Sequence, residues 1–95
     1  MTDTTVTHDD QDQRYEIHVD GTLAGFIDYE LSDGRIVMVH TEVFDEYQGQ
    51  GVAGTLAGEA LADAVERDLT IVPACPYIAR YLERHEVPGA KVEQA

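Results

Sequence analysis

Only one cysteine, Cys75, and only one lysine, Lys91, occur in this chain of 95 residues. A lone cysteine excludes an internal disulfide and a cysteine-rich zinc site. Six lysines and arginines stand against 19 aspartates and glutamates, for a formal net charge of -13. Nucleic-acid binding depends on a basic footprint, so this balance excludes it. No apolar run approaches the ~20 residues of a membrane span, and no membrane association is expected. The opening "MTDTTVTHDDQDQ" has no basic segment followed by an apolar one. No secretory leader is therefore expected, and the expected location is cytoplasmic. His8, His18, His40 and His85 are scattered without H-x-x-x-H spacing, so no structural metal is expected. The acidic surface has two readings: a lure for a cationic substrate, or a solvated surface that resists aggregation.

What is present suffices for one small domain. Hydrophobic residues make up 43% of the chain, enough for a single packed core. Residues 1–13 hold Asp and Thr and little that is apolar, and read as a disordered acidic tail. From Arg14 to the end the chain reads as one folded domain. "RYEIHV" alternates apolar and polar residues, as a half-buried strand does. Asp20-Gly21 and Asp33-Gly34 stand at hairpin positions. "LAGFIDYEL" and "RIVMVHTEVF" complete a three-stranded antiparallel meander. The period then changes. Leu56, Ala60, Leu61, Ala64 and Val65 form one apolar stripe of a helix over 51–67. "LTIVP" is a short buried strand, and "PYIARYLERHE" a second helix with Pro76 in its first turn. "VPGAKVEQA" is a last short strand or a frayed end. The order is β-β-β-α-β-α, an α+β fold.

The stretch "DEYQGQGVAGTLAG" carries G-x-G-x-x-G at Gly49, Gly51 and Gly54. In a dinucleotide fold this motif follows the first strand of a parallel sheet, with an acidic residue about 20 residues on. Here three antiparallel strands come first, and "TIVPAC" occupies that window. A nucleotide-hydrolase loop is excluded by the absence of G-K-[ST]. Two readings remain. Glycines expose backbone N–H groups, and a helix N-terminus favours an anion such as a phosphate. Otherwise they make a tight strand-to-helix connection.

"QGQGVA" places Gln48, Gly51 and Ala53 in register with Q/R-x-x-G-x-G/A, the pyrophosphate loop of the GNAT acetyltransferase superfamily. "HTEVFDEYQGQGVAGTLAGEALADA" followed by "IVPACPYIARYLERHE" resembles the short stand-alone GNAT domains of the YjdJ type. Those carry an H-T-x-V strand and a C-P-[FY] segment before the last helix. The resemblance covers about residues 14–87. It implies acetyl-CoA as cosubstrate, held between two parallel strands that splay apart, 36–44 and 69–73 here. It further implies that the backbone near Glu42, Val43 and Phe44 binds the pantetheine arm and polarises the thioester carbonyl. The N–H groups of Gly49, Gln50, Gly51, Val52, Ala53 and Gly54 would hold the pyrophosphate, with Gln48 adding a side-chain donor at the rim.

Acetyl transfer needs a base for the amine, donors for the developing oxyanion and an acid for the leaving thiolate. By this resemblance the position of the tyrosine that many GNATs use as that acid falls on Leu82; a one-residue shift would bring in Tyr81, but Leu82 is favoured because Tyr81 is then expected to pack inward with Tyr77 and Ile78. The remaining catalytic candidates are Cys75, His40 and Glu42. Cys75 follows the strand "LTIVP" and precedes a helix, where a thiol pKa is lowered. It is a proton donor, a nucleophile, or a small buried hydrophobe. His40 and Glu42 share a strand face, two residues apart, as a base pair or as an ordinary core histidine and strand carboxylate. The two helices that wall the acceptor site in larger GNATs have no room in "HVDGTLAG". The acceptor amine is then a macromolecule or a weakly held small molecule, and the chain a monomer or weak homodimer. Three functions follow: an acyl-CoA-dependent N-acyltransferase, a CoA-binding module without efficient catalysis that acts through a protein partner, or an acidic interaction protein.

Overall fold

The computed structural model describes residues 3–94. Four antiparallel strands come first: β1 (Thr4–Asp9), β2 (Arg14–Val19), β3 (Thr22–Ser32) and β4 (Arg35–Val43). A 3-10 turn at Asp45–Tyr47 leads to α1 (Val52–Glu66), then β5 (Thr70–Pro73), α2 (Pro76–Arg84) and the two-residue β6 (Lys91–Val92). One six-stranded sheet runs β1-β2-β3-β4-β5-β6. Its β4–β5 and β5–β6 pairs are parallel. The fold is α+β, as expected, with a strand at each end of the expected order.

Both inner hairpins turn through two left-handed residues, Asp20-Gly21 (φ 50 and 84) and Asp33-Gly34 (φ 49 and 79). Such turns match the twist of the paired strands, and only Gly, Asn or Asp takes them cheaply. α1 ends where Asp68 turns left-handed (φ 59) and Leu69 N–H reaches back to the Ala64 carbonyl at 3.0 Å. That 6→1 bond is the Schellman stop.

The segment expected to be a disordered tail instead supplies β1, apart from Met1 and Thr2, which lie outside the described residues. Thr-rich sequence suits a strand, and Val6 and His8 turn inward. The His8 ring stacks on Tyr15 with centroids 4.3 Å apart and hydrogen-bonds the Tyr29 hydroxyl. Arg67 contacts its other ring nitrogen at 2.8 Å. The Tyr15 hydroxyl donates to Asp63 at 2.6 Å. Burial, with that bond second, holds the Tyr15 phenol far above its ordinary pKa.

The core lies on one face of the sheet. Tyr15, Ile17, Ile27, Tyr29, Ile36, Met38 and Ile71 pack there with Leu56, Leu61 and Ile78 from the two helices. The opposite face carries no helix among the described residues. Two bulges interrupt the alternation. At the second, Asp28 faces His40 while Tyr29 faces Met38, leaving Val39 as the extra residue. Beyond it the pleat of β4 reverses. Thr41 and Val43 come to the helix side, and His40 and Glu42 go to the open side. No helix is long and apolar enough to cross a membrane among the described residues.

Candidate active site

β4 and β5 stay paired only from Arg35–Thr70 to Met38–Pro73. One further bond, Cys75 N–H to the Met38 carbonyl at 2.8 Å, closes the ladder. β4 runs on to Val43 without β5, so the two strands part. Phe44 N–H turns to β3, where it bonds the Ala24 carbonyl at 2.9 Å. By alternation the N–H groups of Thr41 and Val43 face the parting.

The parting opens into a cleft of about 560 Å³ on the helix side. Thr41, Val43, Tyr47 and Tyr77 form its walls, and Gln48, Gly49, Gly51, Val52, Ala53 and Gly54 line its other end. Gly49 and Gly51 have φ of 82 and 76, so the loop needs a residue without a side chain at both. Gly51 caps α1 with no side-chain cap and no acidic residue in the first turn. The first intrahelical bond joins Thr55 N–H to the Gly51 carbonyl at 3.1 Å. The N–H groups of Val52, Ala53 and Gly54 precede it and lack helical partners. Together with the helix dipole they suit an anion, although no lysine or arginine lines the cleft. Gly54 has no positive φ, and a Cβ added there would touch nothing within 4 Å. The protein's own packing does not require glycine at 54, and the space above it is open to the cleft. A phosphate of an acyl-CoA fits this donor set.

Cys75 caps α2 and is 5% exposed. Its Sγ lies 3.4 Å from Thr41 Oγ1. Burial works to raise the thiol pKa. The Thr41 hydroxyl and the N–H groups of Ile78, Tyr77 and Thr41 oppose this, and the net position is below the ordinary thiol value. In the structure the thiol donates to the Thr41 hydroxyl oxygen, and once ionised the sulfur accepts from groups on both arms of the parting. Tyr77, on the next residue but one, walls the cleft, and burial, then Tyr81, holds its phenol above the ordinary value.

Of the residues singled out by sequence, Val43, Gln48, Gly49, Gly51, Val52, Ala53 and Gly54 line the cleft. Gln48 serves the loop: its Nε2 donates to the Val43 carbonyl at 3.2 Å and to Asp45 at 3.4 Å. Gln50 donates to the Glu46 carbonyl at 3.1 Å and is exposed. The Phe44 ring packs edge-on to Phe26, centroids 6.2 Å apart, away from the cleft. His40 and Glu42 do pair, Nε2 to Oε1 at 3.3 Å, but on the open face. Thr41, between them, points to Cys75, so the sheet separates that pair from the sulfur. Tyr81 turns toward α1, its hydroxyl about 3.0 Å from where a Cβ on Gly58 would stand. Leu82 lines a different cleft, with Pro73 and Val87. Thr41 and Tyr77 escaped the sequence reading as site residues. The bulge at Val39 decides which side of β4 Thr41 takes, and no residue type announces it.

A sheet that parts beside a glycine-started helix is the architecture of N-acetyltransferases. A GCN5-like protein from Staphylococcus aureus, known from an NMR structure, superposes with a TM-score of 0.70 at 24% identity. The match covers 96% of this chain and 89% of that one. The ribosomal-protein-S18-alanine N-acetyltransferase of Escherichia coli matches at a TM-score of 0.63 and 14% identity, over 75% of this chain and 49% of that one. The family model described as GCN5-related N-acetyl-transferase matches residues 14–91. The chain belongs to that family. Protein NATD1 of Mus musculus is 38% identical over 85 residues, 87% of this chain and 77% of NATD1. Protein NATD1 of Homo sapiens is 36% identical over the same length.

Proposed function

We propose that this protein is an acyl-CoA-dependent N-acyltransferase, moving an acetyl group from acetyl-CoA to an amine. One observation carries the reading. β4 and β5 part immediately beyond the Met38–Cys75 bond, beside a helix N-terminus whose donors are unused. The first-turn N–H groups of α1 hold the diphosphate. Acyl-CoA supplies the activated thioester. Val43 N–H, facing the parting, stabilises the negative charge that develops on the carbonyl oxygen.

The amine approaches from the open face. The His40–Glu42 pair, on that face of β4, accepts its proton. The nitrogen then bonds to the acyl carbon, and the carbon–sulfur bond breaks. Cys75 gives its proton to the departing thiolate. The donors around Cys75 stabilise the thiolate it becomes, so they strengthen it as an acid.

The same donors favour a second reading, in which the Cys75 thiolate attacks first. The acetyl group would then pass to Cys75 with release of CoA, and later to the amine. A third reading is a CoA-binding module without turnover, favoured by Leu82 in place of the usual tyrosine and by its position away from the cleft. Thiol release from acetyl-CoA, measured over a panel of amines and peptides, tests the enzyme against the module. Acetyl-CoA binding without thiol release on any acceptor would leave the module. An acetyl adduct on Cys75 after incubation with acetyl-CoA alone, read by mass spectrometry, would select the second reading.

A further inference from the structure

Six lysines and arginines stand in a chain with 19 aspartates and glutamates. Four of the six are paired. Arg14 meets Asp28, Arg35 meets Glu93 and Arg67 meets Asp63, each at 2.8 Å, and Lys91 meets Asp68. The other two are Arg80 and Arg84, both exposed on α2, and neither forms an ion pair among the described residues. Like charges one turn apart on a helix repel each other, and no carboxylate bonded to either arginine offsets that. Arg84 lies in the last turn, where the helix dipole favours a cation. Arg80 stands in mid-helix, beyond that effect.

α1 and α2 run side by side in the same direction. Gly54 and Tyr77 line one cleft. One turn further along each helix, the Tyr81 hydroxyl lies 3.0 Å from where a Cβ on Gly58 would stand. Tyr77, Arg80, Tyr81 and Arg84 are spaced i, i+3, i+4 and i+7, so they share one side of α2. The Tyr77 and Tyr81 rings follow that side, centroids 6.5 Å apart. Ala79, Leu82 and Glu83 take the other flank, in the cleft with Pro73 and Val87. Arg80 therefore stands ~5 Å along the axis from Tyr77, and Arg84 ~10 Å. The two unpaired cations lie past the rim of the acyl-CoA cleft, on its own side of the helix.

Acyl-CoA carries two separate anionic groups, the diphosphate and a phosphate on the ribose 3′ oxygen. With the thioester in the parting and the diphosphate on α1, the adenosine end leaves the cleft past the first turns of the two helices. We infer, resting on the acyltransferase reading, that Arg80 and Arg84 bind the ribose 3′-phosphate. A guanidinium presents a planar fork of donors that suits phosphate oxygens. The pair also sets positive charge beside a ligand that the net charge of -13 repels.

Calorimetry on the full chain with CoA and with dephospho-CoA, which differ only in that phosphate, tests the assignment. Wild type should bind CoA about tenfold more tightly than dephospho-CoA, the scale of one charge-assisted hydrogen bond. In the double variant Arg80→Gln and Arg84→Gln the preference should fall below about twofold, with dephospho-CoA affinity unchanged. High salt should shrink the wild-type preference, since both arginines are exposed. Arg35→Gln, which loses the same charge beside Glu93, should keep it. Both arginines are exposed, so the double variant should fold, and a thermal melt checks this.

Equal affinity of wild type for CoA and dephospho-CoA would overturn the inference and leave the acyl-CoA reading standing. So would a preference that survives in the double variant. An equal loss for both ligands in that variant would overturn it as well, since only the general field of the arginines would then act. Binding of neither ligand to wild type would end the acyl-CoA reading and this inference together.

Discussion

The sulfur of Cys75 and the hydroxyl of Thr41 meet at 3.4 Å across the gap where β5 leaves β4. The contact joins the two arms of the parting at the point where the reacting thioester would enter. Cys75 arrives on the α2 side and Thr41 on the β4 side, each placed by a local backbone event. For Cys75 it is the end of a four-residue strand followed by Pro76. For Thr41 it is the bulge at Val39.

Removing the sulfur tests its role. Cys75→Ala and Cys75→Ser should lower turnover by about 10²-fold or more, the usual range for losing an acid–base group. Acetyl-CoA affinity should stay near wild type, since the proposed diphosphate donors are on α1. Full turnover in Cys75→Ala, measured by thiol release, would discard both catalytic roles for Cys75 and leave the His40–Glu42 pair.

Thr41→Val removes a hydroxyl donor at nearly constant volume. The Cys75 pKa should rise toward the ordinary thiol value, because the hydroxyl favours the thiolate. Ultraviolet titration of the thiolate, or the pH dependence of alkylation, reads the shift. With Cys75 as acid, wild-type turnover falls as pH rises through its lowered pKa, and Thr41→Val moves that fall to higher pH. Stability has the matching sign. A thiol whose folded pKa is depressed adds stability above its unfolded pKa, and loses it as pH falls through the folded value. Thr41→Val should shrink that gain.

Gly54→Ala separates stability from binding. Nothing in the protein lies within 4 Å of the added Cβ, and alanine is better than glycine inside a helix by ~0.5–1 kcal/mol. The variant should melt at or above wild type yet bind acetyl-CoA more weakly, because the methyl group occupies the ligand's space. Gly51→Val behaves differently. Its φ of 76 strains a β-branched residue, so both stability and binding should fall. Thermal melts with calorimetry on both variants check the contrast.

The contact between β2 and α1 should prove structural. Tyr15→Phe removes the bond to Asp63 and should cost ~0.5–1.5 kcal/mol of unfolding free energy, read by urea denaturation. Acetyl-CoA affinity should be unchanged, since this contact lies outside the parting.

Much of the fold was legible because its signals are local. Asp20-Gly21 and Asp33-Gly34 name their turns, and the alanine-rich stripe from Leu56 to Ala64 names its helix. β1 was not legible. Its evidence is the stacking of His8 on Tyr15 and its contact with Arg67, far apart in sequence, while its composition reads as solvated. The glycine loop and the position of Cys75 were legible from spacing and resemblance together. The separation of His40 and Glu42 from Cys75 was not. Alternation alone pairs His40 with Glu42 correctly, but only the bulge fixes which face they occupy. Tyr77 was hidden for a similar reason, since a tyrosine in the first turn of an amphipathic helix reads as core.

The central claim is that acyl-CoA lies in the parting between β4 and β5, and an amide NMR titration tests it most directly. Acetyl-CoA added to the labelled protein should shift the amides of Thr41, Val43, Cys75 and Tyr77 and those from Gly49 to Gly54. Amides of β1 and of the far end of α1 should stay in place. Saturable shifts centred instead on His8, Tyr15 and Asp63, or no shifts at all, would contradict the account.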